Sequence, residues 1–489
     1  MQRKPTPAFP NILAHRQGCR AVVVGGGRTG AAAARLLRRE GAVVTVVDDG
    51  EKDVVVAGLA KYGVVENDVV VVAGGIDAAV VSGADVVVLS PGVPRSHPAL
   101  REAIARDVVV NELELGLAVL SDNGRLLDGL RLWAITGTNG KSTTTTMAGA
   151  IARRVDKDAF VGGNLGLPLC QAVVDGLVAG SVSAPRILVV ELSSYQLETL
   201  RFFPATAAAV TNLSPDHLDR YPDVDAYYEA KARLLSLCVG EVSLNAADTE
   251  SARVLVPLVS DGLGFHFDIS KDVDIGIGID GDGAHLHLTV KRAGAPAVGI
   301  DVDNAAIVGH HNRQNAAAAA ALAIADGFDD AVAAGLADYA GIAHRLERVG
   351  EFAGVTWWND SKATNVDAAV IAVKSFAGGV HLIAGGTGKG SSYAPLVDVA
   401  VGRVVAVYTI GADAPAVSGA FAARFAPEQI VDTKTLAAAC TAAAAAARPG
   451  EHIVLSPACA SFDQFRDYTH RGAAFREAFD ATVRQRSAP

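Results

Sequence analysis

Residues 133–143 read WAITGTNGKST: a short apolar run leads into a turn of glycines and hydroxyl side chains that ends on Lys141. Such a loop turns its backbone N–H groups toward a polyphosphate. Gly137, Thr138, Asn139, Gly140, Lys141, Ser142 and Thr143 supply what that ligand needs: amide donors, an ammonium for the terminal phosphates, and a hydroxyl (Ser142 or Thr143) able to ligate Mg²⁺. The run TTTTMAGAIARR then predicts a helix whose N-terminus adds its dipole to anion binding. The general pattern GxxxxGK[ST] is incomplete, because Ile135 stands where its first glycine would be. From the loop alone, a plain Gly/Thr turn before a helix therefore stays open.

At 489 residues the chain has room for about three domains of roughly 150 residues each. Half of the residues are hydrophobic, which permits large buried cores and argues against global disorder. Aromatics are few while Ala, Val and Gly abound, which suits helices packed tightly on parallel strands. The net charge of −10 argues against a nucleic-acid partner, which normally meets a basic face. No run approaches the roughly 18 apolar residues of a membrane span, and MQRKPTPAFPNILAHRQG lacks a signal peptide's apolar core. The five cysteines (Cys19, Cys170, Cys238, Cys440, Cys459) are scattered and odd in number. Reduced thiols of a cytoplasmic protein are expected, not a disulfide framework or a zinc site.

Three α/β segments in series are predicted, over residues 1–119, 120–341 and 342–489. The first opens on AVVVGGGRTG, a strand running into Gly25, Gly27 and Gly30 at GxGxxG spacing. A helical stretch and a second strand ending at Asp48 complete a Rossmann-like βαβ unit. Its turn could hold NAD, hold another nucleotide, or merely join strand to helix. The second segment alternates strands (ILVVE, AAAVT) with helices around the phosphate loop, predicting a P-loop ATPase-like parallel sheet. Residues 272–302 alternate strictly, which predicts a small antiparallel hairpin with one wet face. The third segment returns to strand–helix alternation, a second Rossmann-like sheet, and its alanine run 437–447 has the propensity of a packed helix.

Individual side chains carry chemistry of their own. Glu191 ends the apolar strand ILVVE, where a buried carboxylate is costly unless it holds a metal or another partner. His217 lies in a loop with Asp216 and Asp219, a neighbourhood suited to a hard metal, although a lone loop histidine is more often simply solvated. Lys231, in AYYEAKARLL, reads by default as a surface cation. Asn312 and Asn315 share a helix face, and Asn312 alone would pass as a helix-start cap. Arg345 offers a permanently charged fork suited to phosphate. Cys459 has no evident histidine partner and reads as a structural thiol.

TGTNGKST, GGNLG, ELSSYQLE, NLSPDHLDRYP, YYEAKARLL, GHHNRQN, HRLERV, NDSKATN, GGTGKG and SPACASFDQF occur in the order and spacing of the Mur ligases. The chain resembles that family from about Val22 to Arg471, and ELSSYQLE and NDSKATN resemble its D-glutamate-adding branch. The resemblance implies ATP-dependent addition of D-glutamate to UDP-N-acetylmuramoyl-L-alanine through an acyl phosphate, a cytoplasmic step of peptidoglycan synthesis. Lys141, Glu191, His217 and Lys231 are then the catalytic set. Two Mg²⁺ sites are implied, with Ser142, Glu191, His217 and a CO₂-carbamylated Lys231 as ligands. Asn312, Arg345 and Asp360 would join the loop in binding ATP. Lys362, Thr364, Lys389, Ser461 and Phe462 would contact D-glutamate, whose two carboxylates ask for lysines and hydroxyls. The UDP end would meet Arg28, Thr29, Asp48, Asp49, Ser90, Pro91 and Gly92, with Asn164 and His97 along the sugar–peptide part. At Asp49-Gly50 the chain departs from the Thr-Arg pair of well-known bacterial relatives.

Amide formation through an acyl phosphate is mostly positioning and neutralisation of phosphate charge, so cations, Mg²⁺ and backbone donors should dominate. ATP contacts fall in the second segment and D-glutamate contacts in the third, so the third is expected to close onto the second, with Ile342–Ala343 as a hinge. Small-molecule substrates and a monomer are expected, with neither nucleic acid nor membrane insertion. Two other functions fit less of the chain. A folylpolyglutamate-synthase-like ligase shares the loop and the glutamate chemistry but has no N-terminal GxGxxG unit. An NAD-sensing module fused to an ATPase switch would not require the lysines and hydroxyls of the third segment.

Overall fold

The computed structural model describes residues 17–122, 130–177, 187–217, 220–259, 264–268, 276–280, 285–292, 295–304, 306–307, 309–388 and 390–487. Lys389 and Asp219 lie outside the described residues. Valine-rich runs without polar alternation favour parallel strands covered on both faces. Five of them build the first sheet: β1 (Arg20–Val24), β2 (Val43–Asp48), β3 (Val70–Ala73), β4 (Val86–Leu89) and β5 (Val109–Val110). All pairs are parallel, in the order β3-β2-β1-β4-β5. Strand order reverses between β1 and β4, which is where open α/β sheets form a crevice at their carboxyl ends.

The second sheet has nine strands in the order β14-β13-β12-β11-β10-β9-β6-β8-β7. They are β6 (Arg131–Thr136), β7 (Phe160–Gly163), β8 (Ile187–Glu191), β9 (Ala205–Val210), β10 (Cys238–Asn245), β11 (Gly264–Asp268), β12 (Gly276–Asp280), β13 (His285–Lys291) and β14 (Val298–Asp303). The pairs from β7 through β12 are parallel, and β12, β13 and β14 pair antiparallel. The hairpin expected over 272–302 is thus a three-stranded meander that continues the central sheet. On β13 the alternation works as expected: Leu286, Leu288 and Val290 are buried while His285 is exposed.

The third sheet comprises β15 (Glu347–Phe352), β16 (Val355–Asn359), β17 (Val380–Gly385), β18 (Val404–Ile410), β19 (Ile430–Lys434) and β20 (His452–Leu455). Their order is β15-β16-β20-β17-β18-β19, with β15 antiparallel to β16 and the other pairs parallel. The alanine run forms the helix Leu436–Ala446.

Two compact units divide the chain: Met1–Asn304 with His311–Tyr339, and Ala305–His310 with Ala340–Pro489. The first unit holds the first two sheets, and their cores are continuous. Residues 111–120 are all buried, and helix Glu112–Asp122 sends Leu113 and Leu117 into one cluster with Val23 and Val46 of the first sheet and Leu188 and Val190 of the second. A boundary at 119/120 falls inside this helix. All five cysteines are free and buried. Among the described residues, no helix is long and apolar enough to cross a membrane.

Candidate active site

The phosphate loop leaves β6 at Gly137, whose φ of 140° suits glycine and strains other residues. A Cβ there would lie 2.0 Å from Thr211 Oγ1, so its absence lets the loop meet the end of β9. Thr211 Oγ1 donates to Asn139 O at 2.6 Å, and Asn139 N donates to Asn212 Oδ1 at 3.0 Å. Helix Lys141–Val155 starts directly after the loop, so its free N–H groups face the same mouth. Lys141 Nζ donates to Gly137 O at 2.9 Å and Thr138 O at 2.7 Å. Thr144 Oγ1 donates to Asn315 Oδ1 at 3.2 Å, and Asn315 Nδ2 to Asn312 Oδ1 at 3.3 Å. That chain of bonds ties helix His310–Ala325 to the loop. Asn312 lies within this helix's first turn, so it is not the cap that its position in the sequence suggested.

Lys231 is no surface cation. It belongs to the buried face of helix Val224–Leu237, with Tyr227, Tyr228 and Leu234, and is 1% exposed. Its Nζ donates to the same Gly137 carbonyl at 2.6 Å and lies 4.6 Å from the centre of the Tyr227 ring. Burial, and then repulsion from Lys141, pull its pKa well below the ordinary lysine value, with Asp216 and Glu191 opposing. Glu191 closes β8 and is also buried. Its Oε1 accepts from Asn164 Nδ2 at 2.7 Å, whereas Oε2 is buried with no hydrogen-bond partner. A buried oxygen left unsatisfied costs about 1–3 kcal/mol, and a cation would relieve it.

His217 holds a left-handed backbone, φ 54°, in the loop after β9. Its Nδ1 lies 2.9 Å from Tyr195 OH and its Nε2 3.6 Å from Asp216 Oδ2. The Tyr227 ring, 5.9 Å from the His217 ring, joins this loop to Lys231. Arg220 stacks over Tyr195 at 4.2 Å and pairs with Glu198 at 2.9 Å, bracing the loop from below. Among the described residues, no group of three or more His, Cys, Asp or Glu side chains is gathered for a metal ion. Glu191 and His217 therefore form no ready-made cage. Such an arrangement suits Mg²⁺, which takes one or two carboxylates and completes its shell with phosphate oxygens and water.

The residues expected to meet UDP sit at the carboxyl ends of β1, β2 and β4. Arg28 and Thr29 begin helix Arg28–Arg39, Asp49 and Gly92 are exposed, and Ser90 Oγ donates to Gly25 O at 2.9 Å. Asp48 is committed to the fold: its two oxygens accept from Gly26 N at 2.7 Å and Gly50 N at 2.8 Å. His97 Nδ1 accepts from Ala99 N at 3.3 Å and so caps the short turn Pro98–Leu100. Asn164 is set apart from this group, on the central sheet beside Glu191.

In the second unit, the turns after β16, β20 and β17 carry the remaining set, and these strands are neighbours. Asp360 is buried; its Oδ1 accepts from Leu346 N at 3.0 Å and its Oδ2 from Ser456 Oγ at 2.8 Å. Burial pushes its carboxyl up to about 7, against hydrogen bonds from Ser456 and Leu346 and the charges of Arg345 and Arg471. Arg345 follows His344 (φ 63°), and Lys362 N donates to His344 O at 2.9 Å, so the HRLERV and NDSKATN turns interlock. Ser461 is buried while Phe462 is 72% exposed.

Sequence reasoning missed three organisers. Arg471, 1% exposed in helix Tyr468–Ser487, donates to Ser361 Oγ at 3.0 Å, Ser361 O at 2.8 Å and Cys459 O at 3.0 Å. It thereby joins the NDSKATN and SPACASF turns, and burial lowers its pKa to about 10. Glu112 and Glu114 are both buried. Glu112 accepts from Cys170 N at 2.5 Å, and Glu114 from Arg201 N and Phe202 N at 2.9 Å each. The sequence signal for both was a helix, NELELGLAVL, whose acids interrupt an otherwise apolar run.

Known proteins match this arrangement along the chain. Three family models align in order: a MurD-like N-terminal domain over residues 19–112, a Mur ligase middle domain over 135–323, and a Mur ligase glutamate ligase domain over 344–459. A UDP-N-acetylmuramoylalanine–D-glutamate ligase of Myxococcus xanthus is 43% identical over 401 residues, covering 81% of this chain and 84% of the relative. In fold, the chain is similar to the UDP-N-acetylmuramate-alanine ligase MurC of Thermotoga maritima, with TM-score 0.58 and 18% identity over 95% of this chain and 100% of the other. A MurF ligase from Thermotoga maritima in complex with ADP gives TM-score 0.57 and 13% identity, covering 98% and 100%. With three domain matches in series and identity at this level across most of its length, the chain belongs to the Mur ligase family, among the UDP-N-acetylmuramoylalanine–D-glutamate ligases.

Proposed function

We propose that the protein is a cytoplasmic, ATP-dependent ligase that joins D-glutamate to UDP-N-acetylmuramoyl-L-alanine and releases ADP and phosphate. One observation carries the chemistry: two lysines, Lys141 and Lys231, converge on the Gly137 carbonyl of a phosphate loop, in a central sheet that also holds the buried, half-satisfied carboxylate of Glu191. The activity of the curated relative supports the choice of substrates.

In the first step a carboxylate oxygen of the UDP-substrate attacks the γ-phosphorus of ATP and the bond to ADP breaks, leaving an acyl phosphate. The amine of D-glutamate then attacks the acyl carbon, loses a proton to water, and expels phosphate with the electrons of the C–O bond. Lys141 and the N–H groups at the start of its helix hold the shifting phosphate charge. Mg²⁺, when bound, neutralises the crowded phosphate oxygens. Glu191 Oε2, the Ser142 hydroxyl and His217 are the side chains that would hold it. Burial pulls the Lys231 pKa well below its ordinary value and so favours the neutral amine, which can add its nitrogen to CO₂ and release a proton. The carbamate so formed has two oxygens for metal, and its remaining N–H still faces Gly137 O.

Asn312, Arg345 and Asp360 are assigned to the nucleotide, and Lys362, Thr364, Lys389, Ser461 and Phe462 to D-glutamate. Arg28, Thr29, Asp49, Ser90 and Gly92 are assigned to the UDP end, with Asp48 shaping their turn. Asn164 orients Glu191 and borders the sugar–peptide part. Phosphate release with UDP-N-acetylmuramoyl-L-alanine, measured against a panel of amino acids, tests the reading. Release is expected with D-glutamate; release that ignores the amino acid, or prefers another, overturns it.

A further inference from the structure

One polar cluster of the third sheet has no part in this chemistry. Tyr393, just before helix Ala394–Ala400, is 7% exposed; its hydroxyl donates to Asp413 Oδ2 and lies 3.0 Å from Cys459 Sγ. The three residues come from the segments that follow β17, β18 and β20, which are adjacent in the sheet. Asp413 stands at the N-cap of helix Ala414–Phe421, where an aspartate ordinarily accepts from the first free N–H groups, yet it makes no capping bond. Its carboxylate is turned to the GGTGKG turn instead. A Cβ on Gly388 would lie 2.0 Å from Asp413 Oδ2, so only a glycine admits the carboxylate there. Asp413 N also donates to Gly386 O at 2.9 Å. On the other side, Cys459 is fully buried beside Ala460, which exchanges two backbone bonds with Thr387, at 2.8 and 3.0 Å. Tyr393 is therefore the side chain that touches both the Asp413 carboxylate under one turn and the thiol at the root of the other.

We propose that Tyr393 and Asp413 form a positioning pair that sets the gap between the 385–388 and 459–462 turns, and with it the affinity for the acidic amino acid. This rests on the assignment of Ser461 and its neighbours to D-glutamate. A phenol donating to a carboxylate makes a charge-assisted bond, roughly twice as strong as a neutral one. Among the described residues the phenol is the side-chain donor to that carboxylate, so without it the carboxylate is left against the Gly388 backbone and the turn must move to let water in. Small displacements of a positioning element are enough to lose substrate. The phosphate loop lies in the other unit, and Asp360, assigned to the nucleotide in this one, is held by Leu346 and Ser456 instead, so the effect should fall mainly on the amino acid.

The test is steady-state kinetics of Tyr393→Phe in the full-length enzyme. The KM for D-glutamate is expected to rise about tenfold, with kcat and the KM values for ATP and the UDP-substrate within about twofold. Asp413→Asn keeps an acceptor for the phenol and should rise less. The double variant Tyr393→Phe/Asp413→Ala should be no worse than the poorer single variant, because both remove one interaction. An unchanged KM for D-glutamate, equal rises in all three KM values, or additive losses in the double variant overturn the proposal while leaving the ligase reading intact. Wild-type turnover that does not depend on D-glutamate overturns both.

Discussion

Glu191 offers the sharpest test of where the metal–nucleotide charge is received. Its Oε2 is buried without a partner while Oε1 is held by Asn164 at 2.7 Å. In the nucleotide-free protein that oxygen carries a penalty of about 1–3 kcal/mol. Glu191→Gln keeps an acceptor for Asn164 and replaces the charged group by a neutral amide of the same size. The free variant is therefore expected to melt at or above the wild-type temperature. With Mg²⁺ and ADP the order reverses. At a ligand concentration about 100 times Kd, binding stabilises the wild type by about 2.7 kcal/mol. A lost charged contact worth about 1.5–3 kcal/mol weakens binding at least tenfold, so the same ligand concentration stabilises the variant by only about 1.4 kcal/mol or less. Differential scanning fluorimetry with Mg²⁺–ADP, and with ADP plus EDTA as the control, reads both quantities. If the variant keeps the full Mg²⁺-dependent shift, Glu191 does not receive the metal. If the free variant melts well below wild type, the carboxylate is a structural anchor acting through Asn164.

Lys231→Ala should be nearly inactive, with partial rescue by formate or acetate, and wild-type activity should fall in CO₂-depleted buffer; full activity of the variant there would return Lys231 to a packing role. Glu112 is pushed up to about 7, chiefly by burial, from an ordinary 4.5. The folded state thus holds this proton more tightly, and the stability it contributes is present below about pH 4.5 and lost as pH rises through about 7, where the charged form costs about 3 kcal/mol. Glu112→Gln should therefore gain on the wild type by up to that amount between pH 5 and pH 8 in urea denaturation, and a pH-independent difference would refute the assignment.

What the sequence revealed of the fold follows from how strongly each element is written locally. Val22–Val24 and Val86–Leu89 are buried on both faces, and an uninterrupted apolar run has no other stable place than a covered parallel strand. Antiparallel pairing at β13 was visible, though as a hairpin and not a three-stranded meander, because Leu286, Leu288 and Val290 alternate with polar residues. The edge strand β15 was not, since ERVGEF is half exposed and shows no strict alternation. NELELGLAVL reads as a helix, but nothing in it marks helix Glu112–Asp122 as the shared core of two sheets. Periodicity reports that a face is apolar and is silent about what covers it, and here residues 111–120 are buried all round.

The candidate site was legible where one motif suffices and illegible where distant segments meet. The phosphate loop could be read because strand, turn and helix are contiguous. Lys231 could not be read as buried, because its partner Gly137 lies 94 positions away and its helix alone looks amphipathic with a lysine at the rim. Arg471 reaches Ser361 across 110 positions, so nothing local marks it as the tie between two turns. The buried polar groups of the central sheet nevertheless share one physical character. Two buried or half-buried lysine nitrogens lean on a single carbonyl, and a carboxylate keeps one oxygen unsatisfied. The bare oxygen breaks the rule that buried polar groups are paired, and an apolar residue would stand in its place if stability were the sole demand. A polyphosphate and its cation complement both kinds of group: anionic oxygens beside the lysines and positive charge for Glu191. One ligand suits both, and this complementarity, which no single residue displays, is the physical reason to read the loop as a site for a metal nucleotide.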